Sequence, residues 1–213
     1  MISNKIFIIG LPRTATTSVC KAMVELGFTT AHTAYIQKAF DQAQVLADTP
    51  IFCDYQQLDK FYPNSKFIHL EREIDVWVPS IRQLLERMLH NLQRTDGGFN
   101  PYLRRCYHDI FQPLTADNIA SDDFLIECYQ RHQQGIETYF KGREQDLLSI
   151  DVSQAGSYQA LLDFVGITDS DKDDFERVNI GGKVTAWKQV ESEFKVESTR
   201  RGRIDKLDYL ENK

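Results

Sequence analysis

The sequence has no Cys-x-x-Cys pair, no long hydrophobic run, no excess of positive charge and no Gly-Lys dipeptide in its first glycine-led loop. Each absence removes a class of function. Cys20, Cys53, Cys106 and Cys128 lie far apart in 213 residues, which argues against a structural zinc site and for a reducing compartment. His32, His69, His90, His108 and His132 are equally scattered, so no metal-ligand spacing is visible and no metal is expected. The N-terminal apolar run Ile6-Phe7-Ile8-Ile9 is too short for a signal-peptide core, and no stretch approaches a membrane span. A cytoplasmic protein is therefore expected. The net charge of −6, from 25 Lys and Arg against 31 Asp and Glu, argues against a general nucleic-acid or anionic-membrane binder. Any anion site must be local. With 42% hydrophobic and 26% charged residues, the composition is that of a globular chain able to bury one sizeable core. A single domain over residues 1–213 is expected, with 168–213 as a less regular C-terminal segment.

What is present begins at residue 6. The run Ile6-Phe7-Ile8-Ile9 reads as a buried strand, and Val19, Ala22, Met23 and Leu26 repeat at helical spacing. Between them stands Gly10-Leu11-Pro12-Arg13-Thr14-Ala15-Thr16-Thr17-Ser18. A strand, a glycine-led turn and a helix start aim backbone N–H groups and the positive end of the helix dipole at an anion. A nucleotide triphosphatase loop ends in Gly-Lys-Ser/Thr, but Ala15 and Thr16 occupy the Gly-Lys places here. The cation comes earlier, at Arg13. The bland alternative is a strand, turn and helix whose Thr or Ser serves only as an N-cap.

Strand and helix patterns alternate along the chain without repeats or low-complexity tracts. Residues 27–32, 66–70 and 146–150 read as further strands, and 35–46, 55–62, 121–141 and 158–165 as helices, with a long helix running from the 66–70 strand to Gln93. Thr95-Asp96-Gly97-Gly98 reads as a loop that Asn100-Pro101 prolongs. The alternation predicts an α/β fold, a three-layer sandwich with a central parallel sheet flanked by helices. Ligands in such sheets bind beyond the carboxyl ends of the strands. Arg72 follows the 66–70 strand, so it emerges on the same edge as the first loop, and Ser80 lies a turn or two into the next helix. A planar guanidinium and a hydroxyl suit one phosphate. Pro79 disfavours helical geometry at Val78, which predicts a late start or a kink there. In the tail, Ser198-Thr199-Arg200-Arg201-Gly202-Arg203 gathers three arginines around a glycine, a loop suited to closing on a polyanion.

Together these motifs resemble the soluble sulfotransferases that use 3′-phosphoadenosine-5′-phosphosulfate (PAPS). Their 5′-phosphosulfate loop looks like Pro-Lys/Arg-Ser/Thr-Gly-Thr-Thr, with Ala15 departing from the usual Gly. Their strand-Arg…Ser pattern is similar to Arg72…Ser80, although Glu73-Ile74 replaces the common Asp-Pro. Weaker similarity runs through Ala47-Asp48-Thr49-Pro50, Tyr62-Pro63-Asn64-Ser65, Tyr139-Phe140 and Asp146-Leu147-Leu148. The resemblance implies a P-loop nucleotide-binding fold and transfer of a sulfuryl group from PAPS to a hydroxyl or amine. The product is 3′,5′-adenosine bisphosphate (PAP), and no metal takes part. It implies that Pro12, Arg13, Thr14, Ala15, Thr16, Thr17 and Ser18 hold the 5′-phosphosulfate and that Arg72 and Ser80 hold the 3′-phosphate. Arg201, Gly202 and Arg203 would cover the nucleotide. Arg13 is the expected catalytic cation. His32, at the end of the second strand, is the candidate base and Asp48 the second candidate, though Asp48 also suits a turn before Pro50. The region 86–135 is expected to form much of the pocket for a small-molecule acceptor of unread class. Two other classes stay open: a small-molecule or nucleotide kinase with a variant loop, and a non-catalytic PAPS- or PAP-binding protein.

Overall fold

The computed structural model describes residues 4–176, 186–199 and 204–211. In chain order its elements are β1 (Ile6–Ile8), α1 (Thr16–Glu25), β2 (Thr30–His32), α2 (Gln37–Gln42), β3 (Val45–Ala47), α3 (Ile51–Phe61), β4 (Lys66–Glu71), α4 (Ile74–Gln93), α5 (Pro101–Ile110), α6 (Ala116–Ala120), α7 (Asp122–Phe140), β5 (Leu147–Asp151) and α8 (Ser157–Val165). Two short helices, α9 (Ala186–Gln189) and α10 (Asp208–Glu211), follow. The strands form one five-stranded, all-parallel sheet in the order β2-β3-β1-β4-β5.

Period-two alternation sends successive side chains to opposite faces of the sheet. Phe7, Leu46 and Phe67 meet Phe40 of α2, Tyr55 and Leu58 of α3, and Ile136 and Phe140 of α7 on one face. Ile6, Ile8, Val45, Ala47, Ile68 and Leu70 meet Val19 and Met23 of α1 and Leu161 and Leu162 of α8 on the other. A third cluster joins α4, α5, α6 and the first half of α7 around Trp77, Ile81, Leu85, Phe111 and Leu125. The expected α/β layering is therefore present. The connection from β1 leads toward the β2 edge and that from β4 toward β5, so the strand order reverses between the parallel neighbours β1 and β4. Such a switch point opens a crevice at the strand ends.

Three local readings differ from the structure. Residues 35–46 are not one helix: α2 stops at Gln42, and Val45–Ala47 is a fifth strand between β1 and β2. A three-residue strand buried on both faces shows no alternation to betray it. Asn100-Pro101 starts a helix instead of prolonging a loop. The Asn100 side chain accepts from the Tyr102 amide at 2.9 Å, and Pro101 takes the first helical position, where its missing N–H costs nothing. Finally, α4 begins at Ile74 and runs through Pro79, because Trp77, Val78 and Ile81 are all needed by the core below.

Candidate active site

The loop after β1 is held from below by two contacts. Gly10 has no room for a side chain: an added Cβ would lie 2.5 Å from both Leu70 Cβ and Thr14 Oγ1. Trp77, fully buried in α4, donates its indole N–H to the Pro12 carbonyl at 3.0 Å. Thr14 Oγ1 turns inward to the Leu11 carbonyl at 2.7 Å. Arg13 and Ala15 both adopt positive φ, 75° and 70°, the conformation that builds a concave nest of backbone N–H groups.

Ala15 is the N-cap of α1, and it offers no capping side chain; no acidic residue stands in the first turn. The Thr-cap alternative therefore fails, since Thr16 and Thr17 are already helical. A helix start with no side-chain cap and no acidic residue in its first turn suits an anion. Arg13 leans across it, donating from Nε to Ser80 Oγ at 2.8 Å. Arg72 donates from Nη1 to the Arg13 carbonyl at 2.7 Å. The Arg72 backbone is clasped on both sides by the Tyr129 hydroxyl, which accepts from its N–H at 2.9 Å and donates to its carbonyl at 3.1 Å. Arg13 thus stands between Arg72 and Ser80. Burial lowers the Arg13 pKa, and the charges of Arg72 and Arg87 add to the effect. Three like charges near one loop, in a chain that is acidic overall, are relieved by an anion.

On the other side of the loop, the two candidate bases meet each other. His32 Nδ1 lies 3.6 Å from Asp48 Oδ2, an ion-pair distance longer than a hydrogen bond. His32 Nε2 lies 3.3 Å from Thr16 Oγ1 and 3.2 Å from Thr17 Oγ1. Burial pushes the His32 pKa down and the Asp48 charge partly restores it, so the imidazole is neutral at pH 7. A carboxylate beside Nδ1 favours the proton there and leaves the Nε2 lone pair toward the loop. Trp187 stacks on the His32 ring at 5.6 Å between centroids.

Two cavities meet at this loop. One, of about 400 Å³, is lined by Arg13, Thr14, Ala15, Ser18 and Arg72, with Glu71, Glu73, Asp151, Asp174 and Glu176 farther round. The other, of about 730 Å³, is lined by Pro12, Arg13, Ala15, Thr16, Thr17, His32 and Asp48, by Arg87, Met88, Phe99, Leu103 and Tyr107 from the 86–135 region, and by Trp187 and Ser198 from the tail. Arg13 and Ala15 belong to both. Arg201, Gly202 and Arg203 lie outside the described residues. The tail before them runs beside β2, with Val196 N–H donating to the Thr30 carbonyl at 2.9 Å and Ser198 Oγ to the His32 carbonyl at 3.2 Å. Among the described residues no three His, Cys, Asp or Glu side chains come together as metal ligands.

The family model described as "Sulfotransferase domain" matches residues 5–38 and 33–184. The chain belongs to the sulfotransferase family. A search of curated proteins finds no match. The match spans the first loop, the Arg72–Ser80 segment and all five strands of this sulfotransferase chain, while the tail residues Trp187 and Ser198 of the larger cavity lie beyond it.

The geometry of this sulfotransferase chain adds residues that spacing did not expose. Gly10 carried a signal, since a glycine directly after an apolar run marks a close backbone approach. Tyr129 carried none: it reaches Arg72 from α7, 57 residues along the chain. Trp77 is a core residue whose indole N–H also anchors the loop, a contact 65 residues along the chain. Asp54 of α3, an aspartate that a metal-dependent kinase reading would need free, is engaged in side-chain contacts. It is 1% exposed, pairs with Arg105 at 2.5 and 2.8 Å and accepts from the Tyr209 hydroxyl at 2.7 Å.

Proposed function

We propose that the protein transfers a sulfuryl group from PAPS to a hydroxyl or amine of a small-molecule acceptor and releases PAP. One observation carries this reading: the loop of residues 12–18 is the common wall of two cavities, so a donor in one and an acceptor in the other can meet across Arg13 and the start of α1. The smaller cavity suits the nucleotide. Its cationic side, Arg13 and Arg72, faces phosphates, and its carboxylates suit the amino and hydroxyl donors of adenine and ribose.

In this reaction the acceptor oxygen forms a bond to sulfur while the bond from sulfur to the 5′-phosphate oxygen breaks. Charge grows on that bridging oxygen, where Arg13 and the first amides of α1 already stand. The acceptor proton passes to Nε2 of His32, with Asp48 holding the proton on Nδ1 and stabilising the imidazolium. Arg72 holds the 3′-phosphate, joined by Ser80 when Arg13 turns to the donor. The four cysteines are all free thiols, the state a reducing cytoplasm maintains, and the reading places the reaction there.

Calorimetric titration tests it. PAP should bind more tightly than ATP or GTP, and Arg72→Ala should weaken PAP at least tenfold while changing the affinity of adenosine 5′-phosphosulfate, which lacks the 3′-phosphate, far less. Tighter binding of ATP, or equal losses for both nucleotides, would overturn the assignment.

A further inference from the structure

We propose that the acceptor is an amphipathic alcohol or phenol whose apolar body fills the larger cavity and whose anionic group pairs with Arg87. This rests on the sulfuryl-transfer reading above. Most of the wall is apolar: Leu84 and Met88 share one face of α4, Leu103 and Tyr107 one face of α5, and Phe99 and Trp187 close the sides. At about 730 Å³ the cavity lies within the range that encloses a multi-ring or long-chain ligand.

The charges on that wall are unevenly paired. Asp48 sits against His32, and Glu197 pairs with Lys38 at 3.0 Å. Lys195 is engaged by the carbonyls of Trp187 and Val190, each at 2.8 Å. Arg87 is exposed and donates from Nε to the Gln83 carbonyl at 3.1 Å, and among the described residues no carboxylate pairs with it or with Lys188, a further cation of the wall. A long helical side chain leans toward the N-terminus of its helix, and this bond shows Arg87 doing so, back toward the loop. Its charge is felt at Arg13. Arg13 is half-buried and Arg87 is exposed, and both line the cavity wall, so an acceptor that carries a negative charge is met there by two guanidinium groups. Arg13 receives its anion from the donor. Arg87 lines the larger cavity and not the smaller one, so an anion that pairs with it comes from the acceptor.

The test uses 4-hydroxyphenylalkanoates of two to six carbons and their methyl esters, with PAPS for turnover and PAP for binding. For at least one chain length, kcat/KM for the carboxylate should exceed that for the ester about tenfold. In Arg87→Met the two should fall within about twofold of each other, and Arg87→Lys should recover part of the preference. PAP affinity measured on each variant confirms that it is folded. An ester preferred or equal in the unchanged protein, a preference that survives Arg87→Met, or an equal loss for acid and ester would overturn the proposal while PAP binding leaves the sulfuryl-transfer reading standing. Absence of PAP binding to the unchanged protein would overturn both.

Discussion

At the scale of single residues, the loop is defined by backbone conformation as much as by charge. Ala15 occupies the left-handed region at φ 70°, ψ 28°, where an L-residue with a Cβ is disfavoured by about 1–2 kcal/mol. Ala15→Gly removes that strain and adds flexibility to the unfolded chain worth about 0.5–1 kcal/mol in the other direction. The net expectation is a gain of about 0.5–1 kcal/mol, read as a higher urea midpoint at unchanged slope; a lower midpoint would contradict the conformation assigned to Ala15. The His32–Asp48 pair gives a second expectation. Because burial lowers the His32 pKa and the Asp48 charge raises it, the acidic limb of kcat/KM against pH should fall below the ordinary histidine value near 6.5. Removing the carboxylate in Asp48→Asn takes away the raising influence. The limb should then move to still lower pH while kcat at neutral pH drops, and an upward movement would show that another group controls the limb. Arg13 and its neighbours were legible as residue types, because a strand, a glycine-led turn and a helix start are local. Tyr129 and Trp77 were not legible as loop supports, because their contacts cross 57 and 65 residues of sequence.

At the scale of elements, α5 shows how a turn signal can mark a helix start. Asn100 and Pro101 together read as a break, yet the asparagine caps and the proline fits the first turn. Asn100→Ala should cost about 1 kcal/mol of stability, measured by urea unfolding, and because Leu103 and Tyr107 of α5 line the larger cavity, it should also raise the KM for an acceptor if the proposed function holds. A stability loss below about 0.3 kcal/mol would mean that the cap bond contributes little in solution. The missed strand β3 has the opposite cause. Val45-Leu46-Ala47 is apolar throughout and short, so periodicity could not separate it from the helix before it. Only its pairing with β1 and β2 makes it a strand.

At the scale of the whole molecule, the buried histidines couple stability to pH. His69, 3% exposed, is pushed down to about 3 by burial and by the neighbouring His132. His132, 7% exposed, donates from Nε2 to the Ile9 carbonyl at 3.0 Å and is pushed down to about 4 by burial. Both folded values lie below the unfolded value near 6.5, so the unfolded chain binds more protons between those limits. Stability is therefore full above about pH 6.5 and falls as pH drops toward 4, by up to about 1.4 kcal/mol per pH unit for each histidine. Between pH 7.5 and 5.5 the free energy of unfolding should fall by about 2–3 kcal/mol, and His132→Gln, which keeps an N–H for Ile9, should remove about half of that fall. An unchanged fall in the variant would assign the acid sensitivity elsewhere.

The sequence by itself determined the alternation of strands and helices apart from β3, the strand-turn-helix at Gly10 to Ser18 and the presence of Arg72 on the same sheet edge. These depend on local periodicity, on glycine and proline conformations and on the rule that parallel strands end together. Only the tertiary structure decided that β3 lies beside β1, that Arg13 stands between Arg72 and Ser80, that His32 and Asp48 form one pair and that the loop divides two cavities. Those facts arise from packing between segments tens of residues apart, where the energy lies in shared burial and long-range hydrogen bonds that leave no mark on neighbouring residues in the chain.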